Sequence, residues 1–203
     1  MTSDQLDTSG WNPRIRSLHD HWRTLHPAPG RLPSRRHFDP MAVPKLLPHI
    51  WLLDIHRDPL RFRYRLVGTY MVMALGQDAT GAWFHELYPG FGPGHPTYEE
   101  YRRLVTEGTV LWRRGRAMFA IHVERCNELE RVVLPFADDG VTVDMALGMT
   151  VHSAMDGSDE VALALGAPPA SRSSLPSGAS RRSLVASTLP LLRKSLPPSI
   201  SSI

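Results

Sequence analysis

The sequence has a single cysteine, Cys126, among its 203 residues. One thiol can form neither an internal disulfide nor a zinc site built on several thiolates, and it is typical of a reducing compartment. No stretch approaches the roughly 20 continuous apolar residues that a membrane-spanning helix needs. The N-terminus carries Asp4 and Asp7 and has no apolar run, unlike a signal peptide. We therefore expect a cytoplasmic protein without a transmembrane segment.

Acidic and aromatic residues are both missing from the segment 167–203. This segment holds eleven serines, six prolines and five basic residues. It cannot bury enough apolar surface to offset its conformational entropy, so we predict a disordered basic tail. One hypothesis is that the tail binds anionic lipid or nucleic acid. Its five charges are widely spread, and the net charge of the chain is only +3, so we do not expect nucleic-acid binding.

Recognisable catalytic motifs are also missing. The sequence has no Gly-x-Ser-x-Gly, no phosphate loop and no His-Glu-x-x-His. The paired acids at 99–100 and 138–139 are typical of a helix start and of a turn. We therefore expect that the protein is not an enzyme.

A helix is predicted over residues 12–26, after a flexible segment 1–10. Apolar residues recur there at spacings of three and four, which places them on one stripe. Pro27 and Pro29 end the pattern. The stripe consists of Trp11, Ile15, Leu18, Trp22 and Leu25.

Alternating residues predict five strands. In the clearest one, residues 61–66, three arginines alternate with three large apolar groups, as in a strand with one wet face. From Val141 to His152, the odd-numbered residues are apolar and form one face, and Gly148 suggests a bulge. In chain order the predicted strands are His49–Ile55, Arg61–Leu66, Arg116–Arg125, Glu130–Ala137 and Val141–His152.

Helices are predicted between the second and third strands. Tyr70–Leu75 forms a short helix that Thr69 could cap, and 82–87 forms a second helix or turn. A longer helix is capped by Thr97 and runs to about Arg113. Two strands, a helical segment and three strands in succession indicate an α+β domain over 11–160: one antiparallel sheet with helices on one face, preceded by the N-terminal helix.

The run RLPSRRHFDPMAVPKLLPHIWLLDI, followed by FRYRLVGT and GQDATG, resembles the bacterial PAS-like domain family labelled PAS_5. That family has a Leu-Pro-x-Arg segment and Phe-Asp-Pro before the first strand, and Arg-Leu-x-Gly-Thr at the end of the second. Leu134 and Pro135 before Asp139 and Gly140 match its last hairpin. The resemblance covers about residues 11–152.

The resemblance implies a PAS fold that works in sensing, dimerisation or signal relay. A PAS sheet curves around a small cavity that holds a cofactor, a small acid or nothing. Family members are usually fused to an effector, whereas the tail here is too short and polar to be one. The residues expected to line the cavity, or to fill it as core, are Phe62, Tyr64, Leu66, Met73, Trp83, Phe119, Ile121, Met145 and Leu147.

The sequence does not identify a cofactor. Some PAS domains bind haem through a helical histidine, a position that His85 or His95 could occupy, but neither lies in a recognisable motif. A flavin photosensor needs a cysteine in an Asn-Cys-Arg-Phe-Leu-like stretch. Cys126 lies instead in ERCNELE, at the end of a strand, which argues against it.

The first functional hypothesis is a sensory or protein-interaction module in signal transduction without catalytic output. Binding of a small-molecule ligand or a signalling partner would favour one arrangement of the N-terminal helix against the sheet, which is a population shift. A homodimer is expected, with Trp11, Leu18, Trp22 and Leu25 as interface candidates. The alternative is a small-ligand-binding protein or enzyme that uses the cavity and depends on Tyr64 or His122.

Overall fold

A computed structural model describes residues 6–116 and 126–154 of the chain. Within them, five strands form one antiparallel sheet in the spatial order β2-β1-β5-β4-β3. The predicted α+β fold class is therefore confirmed. The strands are β1 (Ile50–His56), β2 (Arg61–Val67), β3 (Leu111–Arg116), β4 (Cys126–Phe136) and β5 (Met145–Ala154).

Four helices accompany the sheet. Asn12 caps the first of them, because its side chain accepts the N–H of Arg14 at 2.9 Å. The last is capped by His95 rather than by Thr97, since His95 Nδ1 accepts the N–H of Thr97 at 3.2 Å. The helices are α1 (Pro13–Thr24), α2 (Thr69–Leu75), α3 (Phe84–Leu87) and α4 (Pro96–Glu107), and 3-10 turns lie at Arg35–His37, Pro40–Ala42 and Leu47–His49.

The sheet is covered on both faces. Its inner face packs against α2, α3 and α4, and includes Trp51, Leu53, Phe62, Tyr64, Val133 and Ala146. Its outer face packs against α1 and the 3-10 turns, and includes Ile50, Leu52, Val132, Leu134, Leu147 and Met149. Each strand contributes to both faces because successive side chains point to opposite sides. Two separate apolar clusters result, one on each side of the sheet.

The long helix ends earlier than the sequence pattern predicted. Gly108 adopts φ 63°, a left-handed conformation that suits glycine and terminates α4. The chain then forms β3, which pairs Leu111 with Val133 and Arg116 with Glu128. The prediction of a helix to Arg113 was therefore wrong. The apolar pair Leu111 and Trp112 fits a helical spacing and a strand equally well, and pairing with β4 decides between them.

Gly148 does not mark a bulge, because the β1–β5 and β4–β5 registers continue through it without a shift. A Cβ atom at this position would overlap the indole ring of Trp51. The glycine is needed because Trp51 lies directly over the neighbouring strand. The indole N–H of Trp51 donates to Thr150 Oγ1 at 3.1 Å, which fixes the ring over Gly148.

The chain ahead of α1 forms a turn over residues 6–10, within the segment for which flexibility was predicted. Asp7 Oδ1 accepts the N–H of Ser9 at 2.9 Å, and Leu6 packs against the outer cluster. The predicted disordered tail, 167–203, lies outside the described residues. No helix in the described part of the chain is long and apolar enough to cross a membrane.

Candidate functional site

Polar side chains gather on the inner face, where the rest of the surface is apolar. Arg131 on β4 alternates with Val132, which belongs to the outer cluster, and therefore points inward. Its β5 partner Thr150 also lies on the inner face, and His152 follows two residues later on the same side. Three helix or loop residues complete this inner polar cluster: Tyr70, Tyr88 and Tyr101.

Arg131 is the only cation of this cluster that is charged at neutral pH among the described residues. Its Nη1 lies 3.5 Å from the hydroxyl of Tyr101, and its Cζ lies 5.9 Å from the ring centroid of Trp51. Its Nε is buried and has no hydrogen-bond partner. Among the described residues, no carboxylate forms an ion pair with it. The guanidinium is therefore held by weak neutral contacts alone.

Two tyrosines near Arg131, Tyr64 and Tyr101, keep their protons. The hydroxyls of Tyr64 and Tyr88 lie 2.9 Å apart and share a hydrogen bond. Burial raises the pKa of Tyr64 well above its usual value, and the neighbouring Tyr88 raises it further. Burial also raises the pKa of Tyr101, although Arg131 opposes this shift. At neutral pH the hydroxyls of Tyr64 and Tyr101 are therefore neutral, so they leave the charge of Arg131 uncompensated.

His152 is a buried imidazole at one end of the cluster. Its Nδ1 lies 2.7 Å from the hydroxyl of Tyr70, whose ring packs 4.3 Å from that of His49. Burial, with smaller electrostatic contributions from Arg131 and His49, lowers the pKa of His152 to about 4. His152 is thus neutral at pH 7 and adds no positive charge to the site.

Aromatic rings form the rest of the inner wall. Phe84 is central: its ring centroid lies 4.8 Å from Tyr64, 5.3 Å from Tyr88 and 5.5 Å from Tyr101. Phe62 adds contacts with Phe84 at 5.9 Å and with Tyr101 at 5.2 Å. Such edge-to-face contacts favour well-defined ring positions. The polar cluster therefore adjoins an ordered apolar surface.

On the outer face, β4 holds α1. The indole N–H of Trp22 donates to the backbone oxygen of Pro135 at 3.1 Å. Glu130 Oε1 accepts the backbone N–H of Asn12 at 2.7 Å and the indole N–H of Trp112 at 3.0 Å. The other oxygen of Glu130 lies 3.0 Å from Arg114 Nη2. A buried, paired carboxylate thus fixes the start of α1 to the strand that carries Arg131.

Four of the predicted cavity residues, all on or near β2, lie in two different environments. Phe62 and Tyr64 belong to the inner cluster. Leu66 and Met73 are 46% and 44% exposed and do not line it. A register shift between Leu52 and Leu53 leaves Arg65 without a residue opposite it on β1, and this bulge turns Leu66 away from the inner face.

Met145 and Leu147 lie on the outer face, so their assignment to the cavity was wrong. The alternation predicted from 141 to 152 is present along β5, but its large apolar side packs against α1. The inner side of β5 carries the smaller and polar residues, including Ala146, Thr150 and His152. The sequence pattern separates the two faces without indicating which one the helices α2 to α4 cover.

Trp83 lies apart from the inner polar cluster. It is half-buried, with its ring 4.6 Å from the guanidinium of Arg61 and 4.8 Å from the ring of His56. The candidates Phe119 and Ile121, and also His122, lie outside the described residues. For Cys126 the structure gives a backbone position in β4 only.

The two histidines considered as haem ligands are not arranged as one site. His85 is exposed, next to Trp83, while His95 uses Nδ1 to cap α4. Within residues 6–116 and 126–154, no group of three or more His, Cys, Asp or Glu residues could hold a metal ion.

The dimer candidates are buried within one chain. Trp11, Leu18 and Trp22 are 5%, 0% and 0% exposed, and Leu25 is half-buried against the same cluster. The predicted apolar stripe exists, but the chain's own sheet covers it. In this arrangement of α1, the apolar stripe faces the sheet of the same chain.

Sequence reasoning missed Arg131, Trp51, Tyr88 and His152 as site residues. A signal for one of them was present: Arg131 directly precedes Val132, Val133 and Leu134 and lies within the predicted strand Glu130–Ala137. The positions of Trp51 and His152 depend on strand pairing, which the alternation alone does not give.

A comparison with protein families agrees with this geometry. The model of the family labelled PAS_5, described as a PAS domain, matches residues 12–151. This match covers α1, strands β1 to β4 and the first seven residues of β5. A search of the curated proteins found no significant match to the chain.

Proposed function

This chain belongs to the PAS domain family, and we propose that it acts as a sensory module in signal transduction, without catalytic output of its own. An occupant of the inner polar cluster would change how α1 docks on the outer face. The free or docked state of α1 would then be read by a partner protein.

One observation carries this proposal: Glu130 and Arg131 are adjacent residues of β4 that point to opposite faces. Arg131 reaches the inner polar cluster, where it contacts Tyr101. Glu130 holds the start of α1 through Asn12. A shift of β4 by a few tenths of an ångström would alter both sets of contacts, because hydrogen bonds and packed side chains tolerate little displacement.

The mechanism is a shift between two populations, with α1 docked or released. Release would expose Trp11, Leu18 and Trp22, which are buried in the docked state. An exposed apolar stripe with tryptophans suits a protein interface. In this mechanism homodimerisation, or binding of a signalling partner, uses the stripe only after release. The expected interface residues are thus compatible with their burial in the docked chain.

A cytoplasmic location is part of the same proposal. Its support is the single cysteine, which is typical of a reducing compartment. Fractionation of the native host would test it, and recovery of the protein outside the cytoplasm would contradict it.

The test is hydrogen exchange of the full chain, followed over the amides of residues 13–24. Arg131→Met removes the inner charge and keeps an unbranched side chain. Arg103→Met, at an exposed position of α4, is the matched control. We expect Arg131→Met to change exchange in α1 at least threefold, while Arg103→Met leaves it unchanged. Identical exchange in α1 for wild type and Arg131→Met would contradict the proposal.

A further inference from the structure

The ligand class of the proposed sensor follows from the charge balance of the inner polar cluster. Arg131 brings one positive charge into an environment of aromatic rings and tyrosine hydroxyls. Charges in such surroundings are costly unless they are paired and hydrogen-bonded. In the described part of the chain, no acid pairs with Arg131, and the buried Nε has no partner.

The cluster also has more donors than acceptors. Arg131 can only donate, and it donates to the Tyr101 hydroxyl at 3.5 Å. Since that oxygen accepts this bond, the Tyr101 proton can be donated to a further group. The Nε–H of Arg131 needs an acceptor as well. Both requirements are met by a single anionic oxygen acceptor placed between the two side chains.

The number of positive charges in the cluster limits the charge of the anion that it can bind. Arg131 is the one residue of the cluster, among those described, that is charged at pH 7, because His152 is neutral there. A monoanion balances this charge, whereas a dianion would leave one negative charge unpaired beside a half-buried residue. A planar guanidinium matches a carboxylate with two parallel hydrogen bonds. A monocarboxylate therefore fits better than a phosphate or a dicarboxylate.

The residues next to the cluster determine which chemistry the rest of the ligand, beyond its carboxylate, should have. Next to the tyrosines lie Phe84, Phe62 and Leu104, which are at most 3% exposed. They offer no hydrogen-bonding side-chain atoms to a polar ligand body. Resting on the proposed sensory function, we infer that the inner polar cluster binds a small monocarboxylate with an apolar body, held by Arg131 and the Tyr101 hydroxyl.

The experiment measures binding to the full chain by calorimetry with defined probes. Benzoate and hexanoate are the acids, and benzamide and hexanamide are their uncharged analogues. Inorganic phosphate and succinate test the charge limit. We expect at least one monocarboxylate to bind, with its amide, phosphate and succinate at least tenfold weaker. Absence of binding by both acids, or equal binding of acid and amide, would overturn the inference.

Variants locate the binding site. Arg131→Met is expected to weaken binding of the acid at least tenfold, and Tyr101→Phe at least threefold. Arg131→Lys keeps the charge and is expected to fall between wild type and Arg131→Met. The control Arg103→Met is expected to bind like wild type. Unchanged affinity in Arg131→Met would overturn the inference, and the wild-type comparison of acid with amide remains decisive if that variant does not fold.

Failure of this inference can be distinguished from failure of the proposed function. If no carboxylate binds but Arg131→Met still changes exchange in α1, the ligand class is wrong and the coupling between faces is right. If a carboxylate binds through Arg131 and exchange in α1 stays unchanged, the binding site is right and the proposed relay is wrong.

Discussion

The two faces of the sheet are built from the same strands but differ in how their polar groups are paired. The outer face joins large apolar residues to α1, and its one buried acid, Glu130, has three partners in Asn12, Trp112 and Arg114. The inner face holds Arg131, a half-buried residue whose Nε is buried, without an acid partner among the described residues. Satisfied polar groups stabilise a structure, whereas an unpaired buried charge lowers its stability. Under the proposed function, the outer face gives structural support and the inner face binds the ligand.

On the outer face, the largest loss of stability is expected from Trp22→Ala. Trp22 is fully buried and donates to Pro135, so its loss removes packing and a hydrogen bond. We expect a loss of about 4 kcal/mol in the free energy of unfolding. Urea denaturation measures it. Met41→Ala, at a position 74% exposed, is the control and should stay within about 0.5 kcal/mol of wild type. A loss below about 1 kcal/mol would show that α1 is not docked in solution.

Acidification should lower the stability of the folded chain because His152 is buried in its neutral form. The pKa of this imidazole is about 4 in the folded chain, whereas the ordinary value of a histidine side chain is 6.5. Below pH 6.5 the unfolded chain therefore binds a proton that the folded chain does not, and stability falls as the pH drops from 6.5 towards 4. The loss from this residue is about 3 kcal/mol over that window.

The measurement is urea denaturation of wild type and His152→Gln at pH 7 and at pH 4. We expect the variant to lose less stability on acidification than wild type does. His85→Gln, at an exposed histidine, is the control and should behave like wild type. Equal acid sensitivity of wild type and His152→Gln would contradict a buried neutral imidazole.

Gly148 tests how closely the inner face is packed. Its alanine variant adds a methyl group against the Trp51 ring, and we expect a loss of about 2 kcal/mol. In a Trp51→Phe background the same change should cost less, because the smaller ring leaves space. A double-mutant cycle by denaturation measures this coupling. Additive effects would mean that Trp51 does not lie over Gly148.

The smallest effect concerns electrostatics within the inner face. Since the charge of Arg131 lowers the pKa of His152, Arg131→Met should raise that pKa towards its usual value. NMR titration of the His152 ring resonances measures the shift. The control Arg103→Met should leave the titration unchanged, and an equal pKa in all three proteins would place Arg131 away from His152.

The comparison also shows what the sequence can and cannot predict. Alternation along 141–152 correctly separates two faces, and the stripe containing Leu18 and Trp22 correctly predicts an amphipathic helix. Both are local patterns that the periods of strand and helix determine. The fold class and the family follow from the order of such elements.

The errors arise where distant residues decide the outcome. Leu66 turns outward because of a bulge opposite Leu53, and Gly148 is required by the Trp51 ring on another strand. The isolated charge of Arg131 depends on which acids lie nearby in space. Strand register and neighbouring side chains determine all three, and a local pattern contains neither.

The most direct test of the account measures coupling between the faces in both directions by NMR. The indole N–H resonances of Trp22 and Trp112 report on the outer face, and the pKa of His152 reports on the inner face. Coupling between two sites must be reciprocal. The account predicts that Arg131→Met shifts both indole resonances and that Glu130→Gln changes the His152 pKa. If each variant alters only its own face, β4 does not relay a signal and the proposed sensory mechanism is wrong.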